Sequence, residues 1–271
     1  MSVRAGVLVD GGFDDIRSRD VRFLEEASGL GEVTVRLWPD EAPAWRSAPK
    51  FCFAERSYIL NAIRFVGRVA VVGKAAEDTL RIWAERETQA SVARESMARD
   101  LGLEYRVISE ARLDGFPQHP PVPRSGAIKV AVTGCYDWLH SGHVRFFEEA
   151  ASFGALTVFV GNDAALAGLK GPGHPRFPQD ERRYLVAAVA HVHRAQVSTG
   201  SGWLDAEAQI RASRPDIWIV NEDGDKPCKR DLCRELGIDY RVLTRRPADG
   251  LPARSSTELR GDAASRQVTS D

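Results

Sequence analysis

Two imidazoles three residues apart, His140 and His143, flank the bare backbone of Gly142 in the segment TGCYDWLHSGHVRFF (133–147). The run before them, IKVAVT (128–133), has the apolar continuity of a buried strand. The run after them, HVRFFEEAASF (143–153), has helical periodicity, with Val144, Phe147 and Ala151 expected on one face. The pair therefore sits where a strand turns into a helix. A helix N-terminus exposes unpaired N–H groups and carries positive dipole character, so it attracts phosphate. Imidazole N–H groups at that point can hold a phosphate and stabilise charge developing on it. A glycine there lets a ligand approach the backbone closely. A helix cap with a solvent-facing histidine is the plainer alternative, and the strand–turn–helix context argues against it.

The elements that must carry this turn occur twice. Residues 7–27, VLVDGGFDDIRSRDVRFLEEA, align without a gap on residues 130–150, VAVTGCYDWLHSGHVRFFEEA. Gly11 matches Gly134, Asp14 matches Asp137 and Ser18 matches Ser141. The match resumes at AERSYIL (54–60) on DERRYLV (180–186) and at LGLEYRV (101–107) on LGIDYRV (236–242). A repeat this long is a domain rather than a solenoid unit. Between the copies, PQHPPVPRSG (117–126) holds four prolines. Proline fixes φ and removes backbone donors, so this segment reads as an extended linker. The expected domains are 1–116 and 127–271, joined by 117–126. In the second, strands are expected at 156–161, 192–198, 216–220 and 239–244, and helices at 179–190, 203–213 and 229–236. Strand–helix alternation predicts an α/β fold, a parallel sheet flanked by helices in each half. Ligands in such sheets sit at the C-terminal strand ends.

Composition narrows the function. The 271 residues hold 37 Lys+Arg against 38 Asp+Glu, a net charge near −1 that argues against a bulk electrostatic grip on nucleic acid or an acidic membrane. At 43% apolar and 28% charged residues the chain can bury real cores. MSVRAGVLVDGGFDD meets acidic residues after a short apolar run, unlike a secretory signal, and no stretch approaches the roughly 20 apolar residues of a membrane span. Cys52, Cys135, Cys228 and Cys233 form no CxxC pair, so zinc and a disulfide framework are not expected and a cytoplasmic setting is. No GxxxxGK[ST] pattern is present, which disfavours a P-loop kinase, and GNDAALAG (161–168) is not a dinucleotide fingerprint.

HSGH after a strand resembles the HxGH signature of the nucleotidyltransferase superfamily, in its cytidylyltransferase-like branch. That branch includes glycerol-3-phosphate and ethanolamine-phosphate cytidylyltransferases and heptose-phosphate adenylyltransferases. Gly134, Tyr136, Asp137, His140, Gly142 and His143 fit the wider motif G-x-F-D-x-x-H-x-G-H, with Tyr for Phe. A second signature, an arginine followed by a Ser/Thr-rich helix start, resembles TRRPADGLPARSSTELR (244–260), and the resemblance covers nearly all of 128–260. It implies two tandem Rossmann-like domains. It implies that His140 and His143 hold the triphosphate and the pentacoordinate α-phosphate, and that Ser255, Ser256 and Thr257 open the last helix around the β- and γ-phosphates. It implies Arg245 or Arg246 beside the phosphates, with Arg246 and Lys170 acting in catalysis, Lys170 from a loop after the second strand. Gly134, Tyr136, Asp137 and Gly142 would shape the nucleotide site, Asp137 by orienting the first motif, and Glu181–Arg182 matches a family pair or is an ion pair on a helix. Asn221 and Asp223, in NEDGDK (221–226), stand where the family reads base or ribose through a GGD-like stretch. The implied reaction is attack of a substrate phosphate oxygen on the α-phosphorus of a nucleoside triphosphate, catalysed by in-line positioning and charge neutralisation, with Mg²⁺ bridging the phosphates and few protein ligands.

The first half keeps the pattern without the chemistry. Arg17, Arg19 and Asp20 replace His140, Gly142 and His143, and FPQHPPVP replaces LPARSSTE. An aspartate at that helix start would repel a triphosphate. This half reads as a catalytically dead copy, packed as an internal pseudo-dimer partner. Alternatively, Asp10, Asp14, Asp15 and Asp20 form a changed, acidic ligand site. His191 and His193 could share a strand face, Trp218 reads as core, and Trp203 reads as core or as a base-stacking ring. The leading function is an enzyme that moves a nucleoside monophosphate, CMP favoured by the tandem duplication, onto a small phosphorylated or phosphonylated alcohol or sugar. The LKG…RFPQDER stretch (169–182) resembles the ATP-using heptose enzymes, which makes ATP the alternative. A non-catalytic nucleotide-binding regulator is the rival class; beyond the internal pseudo-dimer, a homodimer of the whole chain is a further expected partner.

Overall fold

The computed structural model describes residues 5–45, 47–71, 79–121, 127–257 and 259. The chain divides into two compact units, Met1–Phe116 and Pro117–Asp271. Unit 1 runs β1 (Gly6–Gly11), α1 (Ser18–Ser28), β2 (Glu32–Leu37), α2 (Phe53–Asn61), β3 (Arg68–Val71), β4 (Leu80–Arg86), α3 (Val92–Asp100) and β5 (Glu104–Ile108). Unit 2 runs β6 (Lys129–Gly134), α4 (Ser141–Ala151), β7 (Ala155–Val160), α5 (Asp163–Lys170), α6 (Gln179–Ala187), β8 (Arg194–Val197), α7 (Glu207–Ser213), β9 (Ile217–Asn221), α8 (Pro227–Leu236) and β10 (Asp239–Leu243). Each unit holds a five-stranded parallel sheet, ordered β3-β2-β1-β4-β5 in unit 1 and β8-β7-β6-β9-β10 in unit 2. Numbered within their own units, the two orders are the same.

The central strands are apolar on both faces because helices cover both. Val130, Ala131 and Val132 of β6 and Leu156, Val158 and Phe159 of β7 are all buried. On α4 the buried stripe is Val144, Phe147 and Ala150, so Ala150, a further three residues on, replaces the expected Ala151, which is half-buried. The expected single helix at 203–213 is split into a 3₁₀ turn (Gly202–Leu204) and α7. The break falls at Asp205, whose carbonyl accepts the Gly200 N–H at 2.7 Å. Helix α5 was not expected at all; Asn162 caps it by accepting the Ala165 N–H at 2.8 Å. Of the proline-rich segment 117–126, residues 122–126 lie outside the described residues. Within unit 2, His119 lies against Tyr184 with the rings tilted by 41° and their centroids 5.8 Å apart.

The first turn is built alike in both units. Phe13 (φ 48°) and Tyr136 (φ 51°) both adopt the left-handed region, a strained conformation for a bulky residue. Glycine two residues earlier makes it possible. A Cβ on Gly11 would lie 2.9 Å from the Phe13 ring, and one on Gly134 would lie 2.7 Å from the Tyr136 ring. Asp14 then accepts the Lys50 and Phe51 N–H groups (2.7 and 2.9 Å), and Asp137 accepts those of Arg176 and Phe177 (2.8 and 3.0 Å).

A buried arginine locks the strand ends in each unit. Arg182 donates to the carbonyls of Phe177 (2.8 Å), Cys135 (2.7 Å) and Gly161 (2.7 Å) and to Asp163 (2.7 Å). Arg56 makes the corresponding bonds to Phe51 (2.9 Å), Gly12 (2.6 Å), Trp38 (2.9 Å) and Asp40 (2.6 Å). Of the two readings of Glu181–Arg182, the structure gives Arg182 a structural tie across three loops. No described helix is long and apolar enough to cross a membrane.

Candidate active site

The carboxyl ends of β6, β7 and β9 open into a cleft of about 290 Å³ in unit 2. It lies where the chain leaves β6 towards β7 on one side and β9 on the other, the switch point at which open parallel sheets bind ligands. Thr133, Gly134, Cys135 and Tyr136 from the first turn, Gly161 after β7, and Val220 and Asn221 at the end of β9 form its floor. His143, Lys170, Arg245, Ser255, Ser256, Thr257 and Asp223 also line it.

The two imidazoles stack, with centroids 3.9 Å apart and planes 22° apart. His140 is the N-cap of α4 and only 1% exposed; its Nδ1 accepts the Gly142 N–H at 3.1 Å. That bond assigns the ring proton to Nε2. Nε2 of His140 and Nδ1 of His143 are buried and unpaired among the described residues. An orphaned buried polar atom costs about 1–3 kcal/mol, and such atoms mark places where a ligand completes the bonding. Burial, with Arg245 and Arg254 adding like charge, pushes the His140 pKa down to about 3. Burial pushes His143 well below its ordinary value too, helped by His140 and Arg245 and opposed by the Trp138 backbone. Both rings are neutral at pH 7, and an anionic ligand would offset the like charge of the nearby arginines, though not the burial.

The remaining groups fall on either side of the cleft wall. Ser256 and Thr257 are helical and the Leu259 N–H donates to the Ser255 carbonyl at 3.2 Å; the residues beyond Leu259 lie outside the described residues. Arg245 is paired with Asp223 at 3.4 Å, while Arg246 is exposed and is not among the lining residues. Lys170 closes α5 instead of standing in a loop. Asp137 faces the 176–177 backbone and does not line the cleft. Gly142 is also behind the wall: a Cβ there would lie 3.1 Å from the His140 ring and 3.4 Å from the Arg254 carbonyl. The glycine thus admits the returning chain, where phosphate was the expected neighbour. Trp203 is 48% exposed and lines the cleft, while Trp218 is core.

Residues 131–261 match the family described as cytidylyltransferase-like. The second unit is a cytidylyltransferase-like domain. Among curated proteins, the bifunctional protein HldE of Photobacterium profundum is 42% identical over 169 residues, 62% of this chain and 31% of that protein. The HldE of Ectopseudomonas mendocina is 32% identical over 248 residues, 87% of this chain and 45% of that protein. The chain therefore spans less than half the length of these relatives. A lipopolysaccharide core biosynthesis protein from Thermoplasma volcanium is 25% identical, covering 46% of this chain and 100% of that one, with a TM-score of 0.38.

In unit 1 the positions that line the cytidylyltransferase-like cleft are filled by the chain's own charges. Asp20, at the place of His143, accepts the Arg17 N–H at 2.9 Å and pairs with Arg86 at 3.1 Å. By the register of LGLEYRV on LGIDYRV, Arg86 stands for Asn221 and Glu110 for Arg245. Glu110 pairs with Arg86 (3.0 Å) and Arg19 (2.7 Å), and the hydrogen bond from Arg86 leads in holding its carboxyl down to about 2. Asp10 is held by Arg36 and Trp38, Asp14 by two backbone amides and Asp15 by Arg17. The alternative acidic ligand site therefore has its carboxylates already engaged. Among the described residues, no three His, Cys, Asp or Glu side chains converge as a metal cage, His191 and His193 included.

Sequence reasoning passed over two cleft residues, Asp205 and Lys229. Lys229 shares a helical face with Leu232 and Cys233, and a lysine on an apolar face was the available signal. Asp205 left none.

Proposed function

We propose that unit 2 transfers a nucleoside monophosphate from a nucleoside triphosphate to a phosphate-bearing small molecule, releasing pyrophosphate. One observation carries this reading: of two neutral, stacked imidazoles with unpaired nitrogens, His143 lines a cleft with Arg245, Lys170 and Ser255–Thr257, and His140 is buried directly behind it. An acceptor phosphate oxygen attacks the α-phosphorus; the new P–O bond forms as the bond to the bridging oxygen breaks, and pyrophosphate leaves with its electron pair. The imidazole N–H groups donate to the oxygens on which charge grows, and Arg245 and the hydroxyls take the leaving group. An ionised phosphate monoester needs no strong base.

ATP with a sugar phosphate of the heptose type is the preferred substrate pair. The HldE relatives fit the resemblance of LKG…RFPQDER to the heptose adenylyltransferases better than they fit the CTP preference drawn from tandem duplication. Among the described residues the cleft carboxylates are Asp205 and Asp223, which suits Mg²⁺ arriving on the triphosphate with its waters, where it would neutralise phosphate charge. All four cysteines are free, in keeping with a cytoplasmic enzyme. Unit 1 is read as a degenerate copy serving as internal pseudo-dimer partner.

The test is pyrophosphate release with ATP or CTP and a panel of sugar and polyol phosphates. His143→Ala is expected to lower turnover by about 10²–10³-fold with the melting temperature retained. No pyrophosphate release by the wild type with any pair would refute the transferase reading and favour the nucleotide-binding regulator, and unchanged turnover in His143→Ala would refute the role given to the imidazoles.

A further inference from the structure

One ionic pair in the cleft is left incomplete. Lys229 is 5% exposed, on the first turn of α8; its Nζ donates to Thr133 Oγ1 at 3.2 Å and to the Gly224 carbonyl at 3.1 Å. An ammonium has three N–H groups, so one remains for the cleft it lines. Asp205 lines the same cleft and accepts the Ser198 hydroxyl on Oδ2 at 2.5 Å, which leaves acceptor capacity on the carboxylate. A Cβ on Gly161 would lie 3.2 Å from that Oδ2, so the glycine admits the carboxylate to the strand end. The two charges attract each other, yet neither forms an ion pair among the described residues. Burial disfavours both charges, lowering the lysine pKa and raising the aspartate's.

Unit 1 shows what a purely structural cation looks like at this place. Arg94 occupies the position of Lys229 and is neutralised by Glu85 at 2.7 Å and Asp10 at 3.5 Å. The residues of unit 2 at those two positions are Val220 and Thr133, neither of them charged. Lys229 thus lacks both counter-charges and is more deeply buried than Arg94.

We propose that Asp205 and Lys229 form a hydroxyl-reading pair, in which one hydroxyl of the bound substrate donates to the carboxylate and accepts from the ammonium. A phosphate fits this place poorly, because Asp205 and Asp223 both line it, whereas a hydroxyl satisfies both partners at once. The hydroxyl belongs either to the nucleotide ribose or to the acceptor's polyol chain. This assignment rests on reading the cleft as the nucleotide and acceptor site, and it adds the residues that select the ligand.

Calorimetric titration of the full chain tests it without needing turnover. The ligands are ATP against 2′-deoxy-ATP and 3′-deoxy-ATP, and a sugar phosphate panel against its deoxy analogues. Wild type is expected to bind the analogue lacking the hydroxyl that is read about 10- to 100-fold more weakly. In Asp205→Asn, which keeps an acceptor for Ser198, and in Lys229→Met, that ratio should fall towards one. Collapse in the ATP arm assigns the ribose; collapse in the sugar arm assigns the acceptor. A wild type that does not discriminate in either arm, or a ratio unchanged in folded Asp205→Asn, overturns the pair. Discrimination without pyrophosphate release would sink only the transferase reading, and release without discrimination only this one.

Discussion

Replacing Arg182 with leucine removes the one side chain that ties the first turn, the end of β7 and the loop before α6 together. The guanidinium is 0% exposed and makes four hydrogen bonds of 2.7–2.8 Å. Three of its acceptors are backbone carbonyls, and losing a buried partner costs each about 1–1.5 kcal/mol. Asp163 is 43% exposed and would rehydrate, so its pairing adds little. The sum is about 3–5 kcal/mol, in line with breaking a buried charged network. At 1.4 kcal/mol per tenfold, hydrogen exchange in peptides spanning 128–136 and 155–163 should accelerate by about 10²–10³-fold. Peptides from 7–11 and 32–37 in unit 1 should not change, and Arg56→Leu should reverse the pattern. Acceleration below tenfold in the unit 2 peptides would refute the claim that this arginine holds the cleft floor.

Three further outcomes are expected. Because the folded His140 pKa lies near 3 and the unfolded one near 6.5, the unfolded chain binds the extra proton between those values, so stability should fall as pH falls through that window. His140 should contribute up to about 1.4 kcal/mol per pH unit to the slope, beside a contribution of the same sign from His143, and His140→Asn should remove its share, as read by urea midpoints. A Cβ at Gly134 would overlap the buried Tyr136 ring, so Gly134→Ala should cost about 1–3 kcal/mol in thermal unfolding; a cost under 0.5 kcal/mol would place the ring elsewhere. Calorimetry should count one nucleotide per chain, since Asp20 and Glu110 stand in unit 1 where His143 and Arg245 stand in unit 2; two sites would contradict the self-paired reading of unit 1.

What the sequence showed of this fold was local. HSGH and RSST were legible because each is a contiguous run with a turn or helix start attached, and the parallel sheets were legible as alternating apolar strands and amphipathic helices. Helix α5 was hidden because GNDAALAG is short and glycine-rich, and only the Asn162 cap and packing fix it. The break at Asp205 depends on a hydrogen bond to Gly200 that no periodicity announces. Asp205 and Lys229 come from different elements and meet only after β6, β7 and β9 align. Arg246 looked as suitable as Arg245, because adjacent residues leave the backbone in different directions and only the folded loop chooses between them.

The two units separate what shapes the cleft from what fills it. The aspartate on two amides, the arginine on three carbonyls and the left-handed aromatic are kept in both, and none of these three contacts touches a ligand position except through Tyr136. The substitutions fall on the lining instead, and they compensate one another: a histidine becomes Asp20, a cation becomes Glu110, and Asn221 is answered by Arg86. Any one of these alone would leave a half-buried charge without its partner. Together they form a network that satisfies itself. A triphosphate entering unit 1 would meet Asp20 and Glu110 at the places of His143 and Arg245 and would have to break their ion pairs with Arg86 and Arg19, whereas in unit 2 those places hold a neutral imidazole and an arginine. Restoring a histidine at Asp20 alone should therefore not restore binding, because Glu110 would still occupy the arginine's place with the opposite charge; nucleotide affinity gained by Asp20→His alone would show that the network does not keep the site closed.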